Sequence, residues 1–252
     1  MNTQIIDTTA SIGESTTLGE FVVIGENVVI GKDCIVGHHV VIHDDTVLGD
    51  NIRIDDHTVI GKEPMRAANS AVTKDQRLPL CKIADDCIIG TGAIIYRGSD
   101  IGRRVLIADL ATVRENVTIG EYTIIGRGVA VENFCTIGRY CKLETNVYIT
   151  AYSKLADRVF VAPCTATSND NFVGRTEERF KHFKGVTIET GARIGVNAVI
   201  LPGKTIEADS LVAAGAVVTR DVPAQKIVAG MPARVVRRVP EEQLLENQDW
   251  PE

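Results

Sequence analysis

The chain has 252 residues, a formal net charge of −6 and 24% charged but only 5% aromatic residues, which excludes a disordered, collagen-like or low-complexity chain and leaves an aliphatic core as the only means of folding. The acidic balance, with a sequence pI near 5.5, removes the general attraction of a nucleic-acid binder. The longest apolar run, Leu211 to Val218, is far below the roughly 18 residues of a membrane span, so neither nucleic acid nor membrane insertion is expected.

From the N-terminus, MNTQIIDTTASIGES carries no basic region followed by an apolar one, so a soluble, cytoplasmic protein is the expectation. An aliphatic residue then recurs every six residues: Ile6, Ile12, Leu18, Ile24 and so on without a slip to Ile60. The series resumes at Ile83 and runs to Val161, then resumes again from Ile188 to Val218. Thirty hexads in all carry Ile, Leu or Val at the key position. A period of six fits neither a 3.6-residue helix nor an alternating hairpin, but it fits a short strand plus a tight corner, repeated. Three such faces make a triangular coil of 18 residues, and thirty hexads predict ten coils of an all-β solenoid over residues 1–220, with a tail over 221–252.

Two excursions interrupt the series, residues 62–82 and 163–187. On this count they leave from different corners, the second beside Ala162. The tail, with PEEQLLENQ after a Pro, predicts one short helix that closes the last coil. Six cysteines, with no C-x-x-C pair, read as reduced, small apolar residues.

Residues 18 apart stack, so the residue after each key aliphatic falls into one of three columns. One is uniformly small, from Gly13, Gly31 and Gly49 to Gly195 and Ala213 on the ten-coil count. A second holds Tyr96, Arg114, Glu132 and Thr150, followed by Arg97, Glu115, Asn133 and Ala151. The third holds Ala108, Gly126 and Glu144, followed by Asp109, Arg127 and Thr145. The polar columns supply the candidate carboxylates Asp109, Glu115, Glu132 and Glu144, with Arg114 and Asn133 as substrate contacts. Asn169, Asp170, Asn171 and Arg175 of the second excursion, which on this count leaves in the column of Ala108, Gly126 and Glu144, are expected to overhang that corner or to reach a neighbouring subunit. The plainer reading of the same residues is a ladder of surface ion pairs, each worth roughly 0–1 kcal/mol.

The segment GVTIETGARIGVNAVILPGKTIEADSLVAAGAVVTRDVPAQKIVAGMPARVV, Gly185 to Val236, resembles the C-terminal part of acyl-CoA-dependent hexapeptide acyltransferases. The stretches ADLATVRENVTIGEYTIIGRGVAVEN, TNVYITAYS and SNDNFVGR are similar to nucleotide-sugar N-acyltransferases that act on dTDP- or UDP-linked amino sugars for surface glycans. The resemblance implies a left-handed parallel β-helix and a homotrimer with acyl-CoA lying along the coils between subunits. It also implies cofactor contacts at Asn197, Ala213, Ala214 and Gly215, and at Arg220 and Lys226 near the adenosine phosphates, where cations suit the charge.

Ile83 to Val161 contains no histidine; the five are His38, His39, His43, His57 and His182. A sugar amine needs less help to become a nucleophile than a hydroxyl does, so substrate-assisted N-acylation fits this absence better than O-acylation or the lipid-A-type, acyl-carrier-dependent reaction. A non-catalytic β-helix assembly module is the alternative outside enzymes. His39 and His57 would stack one coil apart and raise a metal question, but they lie away from the polar columns, and no metal is expected.

Overall fold

The computed structural model describes residues 3–68 and 78–249. The residues fold as a parallel β-helix whose two-residue strands line up in three sheets. Sheet A runs from Ile5–Ile6 to Val217–Val218, sheet B from Ser11–Ile12 to Thr205–Ile206, and sheet C from Thr17–Leu18 to a closing pair, Lys226–Ala229 and Arg234–Arg238. Within the runs each strand pairs in parallel with the one 18 residues on, as Ile107 does with Ile125 and Ile125 with Leu143. The second residue of a strand points inward: Ile42, Ile60, Ile95, Val113, Val131 and Ile149 are all 0% exposed.

The corners explain the small residues. An aspartate two positions after a key aliphatic accepts the backbone N–H one coil earlier, as Asp50 does from Lys32 (2.9 Å) and Asp109 from Thr91 (2.9 Å). A methyl group on Gly31 or Gly90 would overlap that carboxylate. Glycine is therefore required there by close approach, not by a left-handed backbone. The left-handed position comes two residues later, and Asn, Asp, His, Tyr and Arg all occupy it (φ 54–62° at Asn27, Asp86, His39, Tyr122 and Arg104).

The coil count is higher than the aliphatic series predicts. Among the described residues Thr167 and Val228 add strands to the thirty and Val222 adds an isolated bridge to Ile206, giving three further rungs, while the last strand of sheet C, Arg234–Arg238, pairs antiparallel and is not a rung. Thr167 matters most. It sits in sheet A as a buried polar residue whose Oγ1 accepts the Thr150 N–H at 2.8 Å, which lets a threonine fill an aliphatic position. The second excursion therefore leaves after Thr167 and not at 163, and both excursions depart from the corner between sheets A and B. Every later hexad turns by one face. Gly195 and Ala213 leave the small column between B and C and join the column of Ala108, Gly126 and Glu144 between C and A.

The tail also differs. Val222 and Val228 continue the coil, the Lys226–Ala229 strand doubles back antiparallel on Arg234–Arg238, and the expected helix is two 3₁₀ turns, Glu241–Gln243 and Leu245–Asn247. These dock on the flank, where the Leu245 N–H donates to Asp209 (3.0 Å) and Arg193 to Gln243 (3.1 Å). Of the first excursion, 69–77 lie outside the described residues.

The outward sides of the three sheets differ in chemistry. Sheet B presents Val29 and Val47 early and then Lys82, Asp100, Thr118, Thr136 and Lys154; sheet A presents Val41, Val59, Ile94, Thr112, Ala130, Tyr148, Ala166 and Val199; sheet C mixes Ile35, Ile88, Leu106, Ile124, Phe160 and Leu211 with Arg53, Lys142 and Arg193. Because the inward ladder carries the fold, Ile125→Ala should lower stability by about 2–5 kcal/mol in thermal or chemical unfolding, while Thr118→Ala on the face of sheet B should change it by under ~0.5 kcal/mol.

Candidate functional site

Between the two excursions, the corner from A to B carries four rungs: Tyr96–Arg97, Arg114–Glu115, Glu132–Asn133 and Thr150–Ala151. Tyr96, Glu115, Asn133, Thr150 and Ala151 are buried there. Arg97 fastens the first excursion: it reaches Asp45 at 2.7 Å, the Asp44 carbonyl at 2.9 Å and the Leu78 carbonyl at 3.4 Å. One rung on, Arg114 grips Glu115 with two bonds (2.8 and 3.1 Å) and reaches Glu132 with one at 3.3 Å. Its guanidinium lies 5.0 Å from the Tyr96 ring centre. Of the ion-pair ladder read from the sequence, the Arg114–Glu132 pair forms, half sunk into the wall with Glu115 only 3% exposed, while no Asp109–Arg127 pair stands among the described residues.

Burial pushes the Glu132 carboxyl above the ordinary carboxylate range; Arg114 pulls against this and Glu115 adds to it. Tyr148, outward on sheet A, is likewise held above the usual phenol range by burial, with the Glu132 charge second. Asn133 is 2% exposed, and its Nδ2 has no hydrogen-bond partner among the described residues. The sequence signals Tyr148 weakly: it is the one large aromatic on the outer side of sheet A, immediately before a key position.

The second excursion overhangs this corner, but its residues are not equally available. Asp170 accepts the N–H groups of Phe172 (2.8 Å) and Gly174 (2.9 Å) and pairs with Arg179 (3.2 Å). Burial opposes its ionisation, yet these donors hold its carboxyl below the usual range. Asp170 thus shapes the loop, Asn169 receives the Lys184 N–H on its carbonyl (3.2 Å), and Asn171 and Arg175 stand exposed at the turn. His182 pairs with Glu178 at 3.0 Å.

The other candidates lie along the corner from C to A. Asp109 spends one oxygen on the Thr91 N–H, a duty it shares with Asp44, Asp50, Asp56, Asp85 and Asp157 at the same hexad position. That series was visible in the sequence and gives Asp109 a corner role. Glu144 is half-buried two rungs further along the same corner. The structure does not bring Asp109 and Glu144 to Glu115 and Glu132 within one chain. It does bring Ala213, Ala214, Gly215 and Asn197 to the corner of Asp109 and Glu144, through the turn that Thr167 introduces. Asn197 holds the left-handed position (φ 57°), and a methyl group on Gly215 would meet open space. A groove of about 230 Å³ runs beside them, lined by Phe160, Arg193, Leu211, Ala213 and Ala214. Arg220 is exposed at the next corner, and Lys226 opens the closing hairpin, whose second strand adds Arg234, Arg237 and Arg238 to that end.

The early histidines form a stack and not a ligand set: the Phe21, His39 and His57 rings lie 4.9 Å apart and nearly parallel. Among the described residues no group of three or more His, Cys, Asp or Glu is arranged to hold a metal.

Comparisons with known proteins bear on the repeat first. Residues 9–44 match the family described as bacterial transferase hexapeptide, and residues 185–220 match the hexapeptide repeat of succinyl-transferase. Those two stretches, 36 residues each, carry the recognised hexapeptide repeat. A 58-residue stretch, 23% of this chain and 24% of the relative, is 52% identical to a 2,3,4,5-tetrahydropyridine-2,6-dicarboxylate N-acetyltransferase of Staphylococcus aureus. The match therefore spans about a quarter of that relative. Among solved structures, UDP-N-acetylglucosamine O-acyltransferase from Moraxella catarrhalis shares the fold over 100% of this chain and 78% of its own, at 20% identity and a TM-score of 0.58.

A carboxyl whose folded pKa is raised weakens the folded state as pH rises from its unfolded value through its folded one. Glu132→Gln should therefore melt at the same temperature as the native protein near pH 4 and at an equal or higher one at pH 7. A lower melting temperature at pH 7 would show that the Arg114 contact outweighs the burial.

Proposed function

We propose that this protein is an acyl-CoA-dependent N-acyltransferase that acylates the amine of a nucleotide-linked amino sugar, acting as a homotrimer. The observation that carries the reading is the pair of corners flanking sheet A: one is polar, half-buried and framed by two excursions, and the other is small, open and grooved. A triangular coil that turns its apolar sheet A toward a threefold axis sets the A–B corner of one copy against the C–A corner of the next. On such an axis a rung meets the neighbour's rung of its own coil, so Glu132 and Asn133 would face Glu144 of the neighbour, with Asp109 two coils to one side as a further positioning residue and Ala213, Ala214 and Gly215 three coils to the other, where the cofactor runs on along the cleft. The S. aureus relative, an N-acetyltransferase by name, supports the transfer to nitrogen, and the resemblance of the central coils supports the sugar nucleotide.

In this site the amine lone pair attacks the thioester carbonyl, the C–S bond breaks, the amine gives up a proton and the thiolate of coenzyme A gains one. The small residues Ala213 to Gly215 let pantetheine lie close to the backbone along the cleft, while the developing oxyanion needs backbone N–H groups at the acyl end, near the Glu132 rung. No histidine stands on the four polar rungs, so the amine arrives deprotonated or loses its proton on binding. Glu115, tied to Arg114, orients and does not serve as base. The O-acylating reading is favoured only by the fold shared with the Moraxella enzyme, and that fold serves both chemistries.

Incubation of the purified protein with acetyl-CoA and a panel of 3-amino- and 4-amino-6-deoxyhexoses linked to dTDP or UDP should release thiol with at least one of them, and light scattering should give the mass of a trimer. Release with hydroxy sugars alone would reverse the reading. Arg220→Ala and Lys226→Ala should raise the KM for acyl-CoA several-fold with little change in kcat, because contacts remote from the thioester contribute mostly uniform binding.

A further inference from the structure

We infer that the A–B corner selects its acceptor by two adjacent groups, a nitrogen that pairs with Glu132 and an oxygen that accepts from Asn133, and that Glu132 is the residue that prefers an amine to a hydroxyl. This rests on the acyl-transfer reading above and names the part of the acceptor that the site reads.

Two independent observations lead there. The first is a charge imbalance. Arg114 is the guanidinium that bridges two carboxylates, and it divides itself unequally: Glu115 takes two bonds at 2.8 and 3.1 Å, Glu132 one at 3.3 Å. Glu115 is sealed at 3% exposure, while Glu132 keeps 24% of its side chain open and Arg114 21%. The carboxylate left short of positive charge is thus the one a ligand can reach. An ammonium supplies the missing charge and then gives up a proton before its lone pair attacks; a hydroxyl leaves the carboxylate partly buried and poorly compensated.

The second observation is Asn133. Its Nδ2 is a donor with no acceptor among the described residues, in a side chain that is 98% buried at the position one coil below Glu115. A buried donor left unpaired costs folding free energy, and a leucine or alanine would fill the place without that cost. The only thing the amide offers in return is a hydrogen bond to an oxygen brought in from outside, with local rearrangement to admit it. Glu132 and Asn133 are consecutive residues of one corner, so the two handles suit an amine and an oxygen on neighbouring carbons of a sugar ring.

Calorimetric titration in the presence of CoA tests this, with the dTDP- and UDP-linked 3-amino- and 4-amino-6-deoxyhexoses and their 3-hydroxy and 4-hydroxy counterparts as probes. The native protein should bind the best amino sugar at least about tenfold tighter than its hydroxy counterpart. Glu132→Gln should abolish most of that preference and leave the affinity for CoA unchanged. Asn133→Leu should weaken amino and hydroxy sugars alike and, without sugar, melt at or above the native temperature. A preference that survives Glu132→Gln overturns the inference, as does an Asn133→Leu protein that loses stability and keeps its sugar affinity, or a native protein that binds none of the amino sugars. Thiol release with a preference indifferent to Glu132 sinks this inference and leaves acyl transfer standing; a Glu132-dependent preference without thiol release supports it and removes acyl transfer.

Discussion

Each inward aliphatic of the coil has to lie directly over the one before it, because the two-residue strands have no other source of stability. A strand of that length forms almost nothing alone, and neighbours in the stack supply both its hydrogen bonds and its apolar contacts. This contact fixes the backbone to an 18-residue period between excursions, and the period then dictates everything at the corners. Asp50 can accept from Lys32 only because Gly31 leaves room, and the same pairing recurs at Asp109 and Gly90. Rings at the left-handed positions stack for the same reason, as Tyr122 does on Tyr140 at 4.9 Å.

A scaffold this strict leaves function to the places where the repeat is not obeyed. On the A–B corner, Arg114, Glu115, Glu132 and Asn133 stand where other coils carry small or turn-forming residues, and they sit there at a cost. Glu132 is held as a poorly compensated carboxylate and Asn133 as an amide without a partner for its Nδ2 among the described residues. Groups that lower the stability of the empty protein are expected where binding, and not folding, has set the residue. Both excursions rise from this corner, and Arg97 and Asp170 are spent on fixing them in place.

The aliphatic ladder was legible in the sequence because thirty of its rungs are Ile, Leu or Val at an unbroken spacing of six within each run. Thr167 was not, since its hydroxyl is satisfied by the Thr150 N–H, and nothing in the local pattern announces that a threonine can face inward. That one rung governed the placement of all that followed: with it, the second excursion moves to the A–B corner and Ala213 to Gly215 move to the corner of Asp109 and Glu144. The role of Asp109 was legible from its five equivalents but is shared with them, whereas Arg114, Glu115 and Glu132 were picked out by polarity alone. The burial of Glu115 and Asn133 and the unequal grip of Arg114 depend on side-chain geometry that no spacing reveals. The tail misled because its helix-forming residues make 3₁₀ turns docked against Asp209 and Arg193.

The central claim, that sheet A is the shared surface and the site is divided between the two corners flanking it, is tested most directly by subunit complementation. One inactive variant would carry Glu132→Gln with Asn133→Leu on the A–B corner, and the other Ala214→Trp on the C–A corner. Co-expressed and purified as mixed trimers, they should recover about a quarter of the native sites, the share in which a sound A–B corner meets a sound C–A corner of its neighbour under random mixing. Mixed trimers as inactive as either parent would place both halves of the site in one chain and contradict the account.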